Sequence, residues 1–164
     1  MLTLDYLHTL EHPICRVPSR YYRMLNVAVE HVGNINLRLD KGEAITRFAG
    51  HIGYEVFPEH RGHRYAAYAV RLLIPVAREH GIHSLWITCD PENTASRRTL
   101  EIAGAEYVET VDVLYRHDIF FAGHPRKCRY RLRTSTETHT PQLLSEERDH
   151  DLLRSVPSAA ETRA

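Results

Sequence analysis

Residues 50–66 read Gly-His-Ile-Gly-Tyr-Glu-Val-Phe-Pro-Glu-His-Arg-Gly-His-Arg-Tyr-Ala. The stretch predicts a strand over 51–57, a short basic turn, and a helix that opens directly from the turn. A helix start carries unpaired backbone N–H groups and the positive end of the helix dipole, so this turn suits a phosphate or pyrophosphate. Arg61 and His60 add side-chain donors. Gly62 lets the backbone approach a ligand with no Cβ in the way.

The pattern extends downstream from there. In 64–80, Ala66, Ala69, Val70, Leu73, Val76 and Ala77 recur at spacings of three and four, which gives a helix with one apolar face and Gly81 as its stop. The apolar run 83–89 predicts a buried strand, parallel to the first because a helix joins them. Thr94–Ala103 predicts a second helix, capped by Asn93 and stopped by Gly104. Strands are expected over 106–113 and 127–133, with a loop over 116–125 between them.

Upstream, 22–30 and 32–39 read as a strand pair, and Asp40-Lys41-Gly42 as a turn. Residues 1–20 are poorly patterned, with Leu2, Leu4, Leu7 and Leu10 suggesting at most a weak amphipathic turn or two. From 134 to 164 the chain becomes polar and free of aromatics, and a flexible or marginally helical tail is expected. The fold class is α/β: a central mixed sheet flanked by helices, in one domain over 1–133.

Composition narrows the function classes. Lys+Arg and Asp+Glu both count 21, so there is no global basic field of the kind that draws nucleic acid. No apolar run reaches the roughly 20 residues of a membrane span, and the N-terminus lacks the pattern of a secretory signal. Three widely spaced cysteines argue against a disulfide framework, and a cytoplasmic protein is expected. The 12 histidines are scattered without paired ligand motifs, so no metal site is expected. The alternating basic run 126–133 is read as a charge-protected edge strand rather than a nucleic-acid surface.

The stretch 50–66 resembles the acetyl-CoA-binding signature of the GNAT superfamily of N-acetyltransferases. The likeness rests on Val56-Phe57-Pro58 as the strand exit, Arg61 as the first signature position and Ala66 as the last. Arg64 stands where the family pattern has Gly. A residue entering a right-handed helix can present its N–H at negative φ, so binding is expected to survive. A second match lies at Asp90–Arg98, where Asn93 and Ser96 fit the family's Asn-x-x-Ser/Ala pattern, and Ala103-Gly104-Ala105 fits its helix exit. The resemblance covers about 21–133. It lacks the N-terminal strand and two helices that close over the acceptor in relatives, which leaves room for a homodimer.

The resemblance implies acetyl transfer from acetyl-CoA to a primary amine of a small molecule or a protein N-terminus, by direct attack in a ternary complex. A catalytically weak CoA-binding regulatory or scaffolding domain is the alternative. Cofactor contacts are expected from Val56, Phe57, Arg61, Gly62, His63, Arg64, Tyr65, Ala66, Asn93, Ser96 and Arg97. The reaction needs a base for the amine, and Glu55 is the candidate, because alternation turns it away from Ile52, Tyr54 and Val56. The oxyanion needs donors, expected from strand N–H groups near 55–57. Many relatives carry a Tyr acid seven residues after the helix Asn, and that position is Leu100 here. Tyr107 and Tyr115 are the remaining tyrosine candidates near the cleft.

Overall fold

The computed structural model describes residues 1–134, and the expected tail lies outside them except for its first residue. Thr134 is buried; its N–H reaches the His83 carbonyl at 3.1 Å and its Oγ1 reaches the Ile82 carbonyl at 2.8 Å. The folded unit therefore runs at least one residue beyond the expected boundary.

Two antiparallel sheets make the frame. β1 (Thr3–Glu11), β2 (Pro18–Leu25), β3 (His31–Arg38) and β4 (Ile52–Val56) form the first, in that order. β5 (Ser84–Cys89), β6 (Glu106–Asp112) and β7 (Arg126–Arg133) form the second, in the order β5-β7-β6. Helices α1 (Tyr65–Glu79) and α2 (Thr94–Ala103) flank them, and a four-residue helical turn, α3 (Asp118–Phe121), lies before β7. A π-helical turn, Ala44–Ala49, precedes β4.

β1 corrects the expectation of a patternless N-terminus. It is an edge strand with most of its residues exposed, so its sequence carries no clean alternation. Among the described residues, β1 passes to β2 through residues 12–17 with no helix between them. The β2–β3 turn is built by Asn26, whose Oδ1 accepts the N–H groups of Ala28 and Glu30, both at 3.0 Å.

Alternation along β3 and β4 sets the two faces. Ile35, Leu37 and Ile52 turn inward under α1, where Val70, Leu73 and Ala77 are fully buried. Burying a side chain such as Leu73 contributes about 1.5–3 kcal/mol. Asn34, Asn36, Gly53 and Glu55 occupy the opposite face in register, Asn34 across from Glu55 and Asn36 across from Gly53.

β4 and β5 do not ladder with each other among the described residues, contrary to the expected parallel pair. Their link is local. The His51 N–H donates to the Trp86 carbonyl at 2.6 Å, and the Trp86 N–H donates to His51 Nδ1 at 2.9 Å. A side chain has taken the place of a main-chain acceptor, and beyond it the strands belong to separate sheets. The opening between them is the cleft.

β7 is the central strand of its sheet, not a protected edge. Its cations are matched by neighbouring acids. Lys127 reaches Asp90 at 2.7 Å, Arg131 reaches Glu106 at 3.8 Å, and Arg129 pairs with Glu109. Arg129 also lies over the Trp86 ring at 4.2 Å. The basic alternation is a cross-strand charge ladder.

Candidate active site

The cleft between β4 and β5 has a volume of about 730 Å³. Its mouth is the turn 58–64. The Arg61 Nε donates back to the Val56 carbonyl at 3.2 Å, which orients the guanidinium beside the turn. A Cβ added at Gly62 would meet nothing within 4 Å, so the backbone there stands open, at φ +87°. His63 stacks on Tyr65 at 5.3 Å. The first turn of α1 has no side-chain cap, and its first internal hydrogen bond in this stretch runs from the Tyr68 N–H to the Arg64 carbonyl at 3.2 Å. The N–H groups of Tyr65 and Ala66 thus remain free to serve a ligand.

Arg64 differs from expectation in its backbone. It sits at φ +60°, ψ +20°, the left-handed region, and not at negative φ. Gly adopts this conformation freely, whereas it costs a side-chain-bearing residue about 1 kcal/mol or more. Arg64→Gly is accordingly expected to raise stability by about 1 kcal/mol while keeping the turn. Thermal melts of the two forms check this, and a less stable Gly variant would mean that the Arg64 side chain holds the turn.

Along β4, odd-numbered residues bond to β3. The Phe57 N–H reaches the Val32 carbonyl at 3.0 Å, and the His51 carbonyl accepts the Arg38 N–H at 2.7 Å. Alternation leaves the N–H groups of Tyr54 and Val56 facing the cleft. Of the donors expected near 55–57, Val56 is therefore the available one and Phe57 is not. The Phe57 ring instead packs edge-on against His31 at 4.9 Å, outside the cleft lining.

On the β5 side, the Asn93 Oδ1 accepts the Ser96 N–H at 2.9 Å and caps α2, leaving the amide nitrogen for a ligand. Ser96 Oγ lies 2.7 Å from the Tyr54 phenol. Burial pushes the Tyr54 hydroxyl up to about 12 and the Cys89 thiol up to about 11, so both stay protonated. Arg97 turns away from the cleft, toward Tyr130 at 3.3 Å and the Pro91 carbonyl at 3.4 Å.

Glu55 lines the cleft and is exposed. Tyr107 and Tyr115 do not line it. The Tyr107 hydroxyl bonds Thr110 at 2.9 Å on β6, with its ring against Tyr130, and Tyr115 stands on the loop after β6 with its hydroxyl on Arg116 at 2.7 Å. Contrary to the expectation that they approach the cleft, Tyr107 stands on β6, the far strand of the second sheet, and Tyr115 on the loop beyond it. Leu100 is fully buried, so no acid stands at that position.

Two groupings in the lining escaped the sequence. Asp90, at the end of β5, holds His124 Nδ1 at 2.7 Å and Lys127 Nζ at 2.7 Å. Burial alone would raise its carboxyl, but the Lys127 ammonium and the hydrogen bond with His124 outweigh it and keep the carboxyl below the usual range. His124 is thereby oriented by a carboxylate at the cleft wall. The second grouping is His12 with Arg38, whose Nη2 lies 3.1 Å from His12 Nε2. Each pair is separated by more than twenty residues, so no local motif announces it.

Burial, then Arg38, lowers His12 from 6.5 to about 4, and burial lowers His51 in the same direction. The unfolded chain takes up these protons near pH 6.5, whereas native His12 resists until about pH 4 and native His51 is shifted in the same direction. Their stabilising contribution is full above pH 6.5 and is lost as pH falls through that window. The urea midpoint is expected to drop between pH 7.5 and 5, above the carboxylate range, and His12→Gln should flatten the drop. A midpoint independent of pH in that interval would contradict it.

The sequence model described as "Acetyltransferase (GNAT) domain" matches residues 17–106, which include both motifs. This chain belongs to the GNAT acetyltransferase family. Solved structures share the fold at low identity. A GNAT-family acetyltransferase from Bacillus anthracis aligns with TM-score 0.53 and 21% identity, covering 70% of this chain and 66% of that one. The microcin C7 self-immunity acetyltransferase in complex with acetyl-CoA and AMP aligns at 0.52 and 15%, covering 70% and 61%. A dodecameric spermidine N-acetyltransferase from Vibrio cholerae aligns at 0.58 and 12%, covering 86% and 98%. The match spans somewhat under two thirds of the first two solved chains. No curated protein matches the sequence. Among the described residues there is no helix long and apolar enough to cross a membrane and no group of three or more His, Cys, Asp or Glu placed to hold a metal ion.

Proposed function

We propose that this GNAT member is an N-acetyltransferase that moves an acetyl group from acetyl-CoA to a primary amine by direct attack in a ternary complex. The observation that carries the reading is the cleft itself. An uncapped helix start, an open glycine and Arg61 gather at its mouth, while free strand donors and a carboxylate line its wall. Acetyl-CoA supplies an activated thioester when bound.

The protein's groups divide the work. Arg61 with the N–H groups of residues 62–66 holds the pyrophosphate. The N–H groups of Tyr54 and Val56 and the amide nitrogen of Asn93 meet the amides of the pantetheine arm and the negative charge that develops on the acetyl oxygen. Glu55 takes the proton from the incoming ammonium, directly or through water. With Leu100 in the core, the thiolate departs without a dedicated acid. That is tolerable for a thiol whose pKa is near the 8.5 of cysteine.

Calorimetry of acetyl-CoA binding tests the reading. Arg61→Glu is expected to weaken binding at least tenfold, about 1.4 kcal/mol. Unchanged affinity removes Arg61 from the site, and no binding by the wild-type chain overturns the proposal.

A further inference from the structure

The inner end of the cleft holds a cation without an anion. Arg38 is 9% exposed and lines the cavity, yet among the described residues no Asp or Glu forms an ion pair with it. Its Nη1 donates to the Gly50 carbonyl at 3.0 Å and the Ala49 carbonyl at 3.4 Å. Its Nε is buried with no acceptor at all. Its Nη2 lies 3.1 Å from His12 Nε2, and the guanidinium also interacts with the neutral Cys15 thiol, whose pKa burial raises. A buried cation is normally matched by an acid, and an unpaired donor there is costly.

His12 sharpens the point. It is 8% exposed, and its Nδ1 lies 3.3 Å from the Ile14 N–H and 3.2 Å from the Cys15 N–H. Nδ1 is therefore the acceptor, and the single proton of the neutral ring sits on Nε2. Nε2–H and the Arg38 Nη2–H then confront each other, donor to donor. The opposite tautomer only moves the conflict to the two backbone N–H groups. One shared acceptor between Nε2 and Nη2, with a second at Nε, would satisfy all three donors.

We propose that Arg38 and His12 form an anion subsite at the inner end of the cleft, and that the acceptor is a small amine carrying a carboxylate. Two carboxylate oxygens match the planar edge that Nε and Nη2 present. Space for the ligand comes from Gly53, where an added Cβ would lie 3.1 Å from Nη2. Glu55 follows on the same strand face, roughly 7 Å along β4. A carboxylate held at Arg38 thus brings a nearby amine toward the proposed base. The proposal rests on the acetyltransferase reading above, and it names the substrate class of that site.

The test uses the full chain, acetyl-CoA and matched amines, with release of the CoA thiol as the readout. Short ω-amino acids are compared with n-alkylamines of equal length, and a third arm uses the corresponding aminophosphonic acids. The carboxylated amines are expected to show kcat/KM at least tenfold above their alkylamine partners. Arg38→Met should erase that preference while acetyl-CoA binding, read by calorimetry, stays within twofold. Arg38→Lys, which keeps the charge but not the fork, should retain only part of it.

Equal kcat/KM within the wild-type pairs overturns the subsite without any variant having to fold. Preference for the phosphonic acids overturns the assignment to a carboxylate. If acetyl-CoA binds but no amine turns over, the functional reading fails separately. Calorimetry of the same amino acids into CoA-saturated protein then decides the subsite. Binding that is lost in Arg38→Met upholds it, and no binding overturns it.

Discussion

Replacing Glu55 by Gln is expected to lower acetyl transfer by roughly 10²–10⁴-fold, the range typical when a general base is lost, while acetyl-CoA affinity stays nearly unchanged. Glu55 lines the cleft on the polar face of β4, across from Asn34, and Gln keeps its size and its place in the sheet. What Gln cannot do is accept a proton. The deficit should therefore shrink as pH rises and more of the amine is already neutral. Tyr107→Phe and Tyr115→Phe should cost little, because both side chains stand outside the lining. The informative comparison is His124→Asn. His124 is another candidate base in the cleft wall, oriented by Asp90 at 2.7 Å. Wild-type turnover in Glu55→Gln together with a large loss in His124→Asn would move the base from β4 to the loop before β7.

How far the sequence reached depends on how local each feature is. Strand, turn and helix over 50–66 were legible because alternation gives way to a three-four spacing within a dozen residues. The same holds for α2, whose boundaries and Asn93 cap match expectation, with the cap bond at 2.9 Å. β1 was not legible: an edge strand with exposed residues on both faces leaves no periodic trace. β7 was misplaced because paired and unpaired arginines look alike until the neighbouring strands bring Glu106, Glu109 and Asp90 alongside. Arg64 shows a different limit. Its identity was visible as a departure from the family pattern, but the left-handed φ that makes the departure costly is a property of the folded turn. The His12–Arg38 and Asp90–His124 pairs lay out of reach for the same reason that makes them informative. Each joins elements that the chain brings together only through the fold.

The largest expected effect on stability comes from Gly33→Ala. Gly33 lies in β3 opposite Val56 of β4, next to the register shift that closes the β2–β3 hairpin. A Cβ built there would stand 2.2 Å from the Glu55 carbonyl oxygen and 3.0 Å from the Val56 Cα. Both are backbone atoms of a paired strand, so no side chain can swing aside to make room. The two strands must separate locally, which strains or breaks ladder bonds at the positions that present Glu55 and the Val56 N–H to the cleft. Overpacking of this kind costs about 1–3 kcal/mol and occasionally more, and each kcal/mol lowers the melting temperature by about 2–4 °C in a chain of this size. The same displacement moves the proposed base and the strand donors together. Acetyl transfer should therefore fall further than the loss of folded protein accounts for, while pyrophosphate contacts at the α1 start are spared. Melting temperature, acetyl-CoA affinity and turnover measured on one preparation separate these effects. An Ala variant that melts with the wild type would show that β3 and β4 lie farther apart in solution, and the cleft geometry drawn from β4 would have to be revised with them.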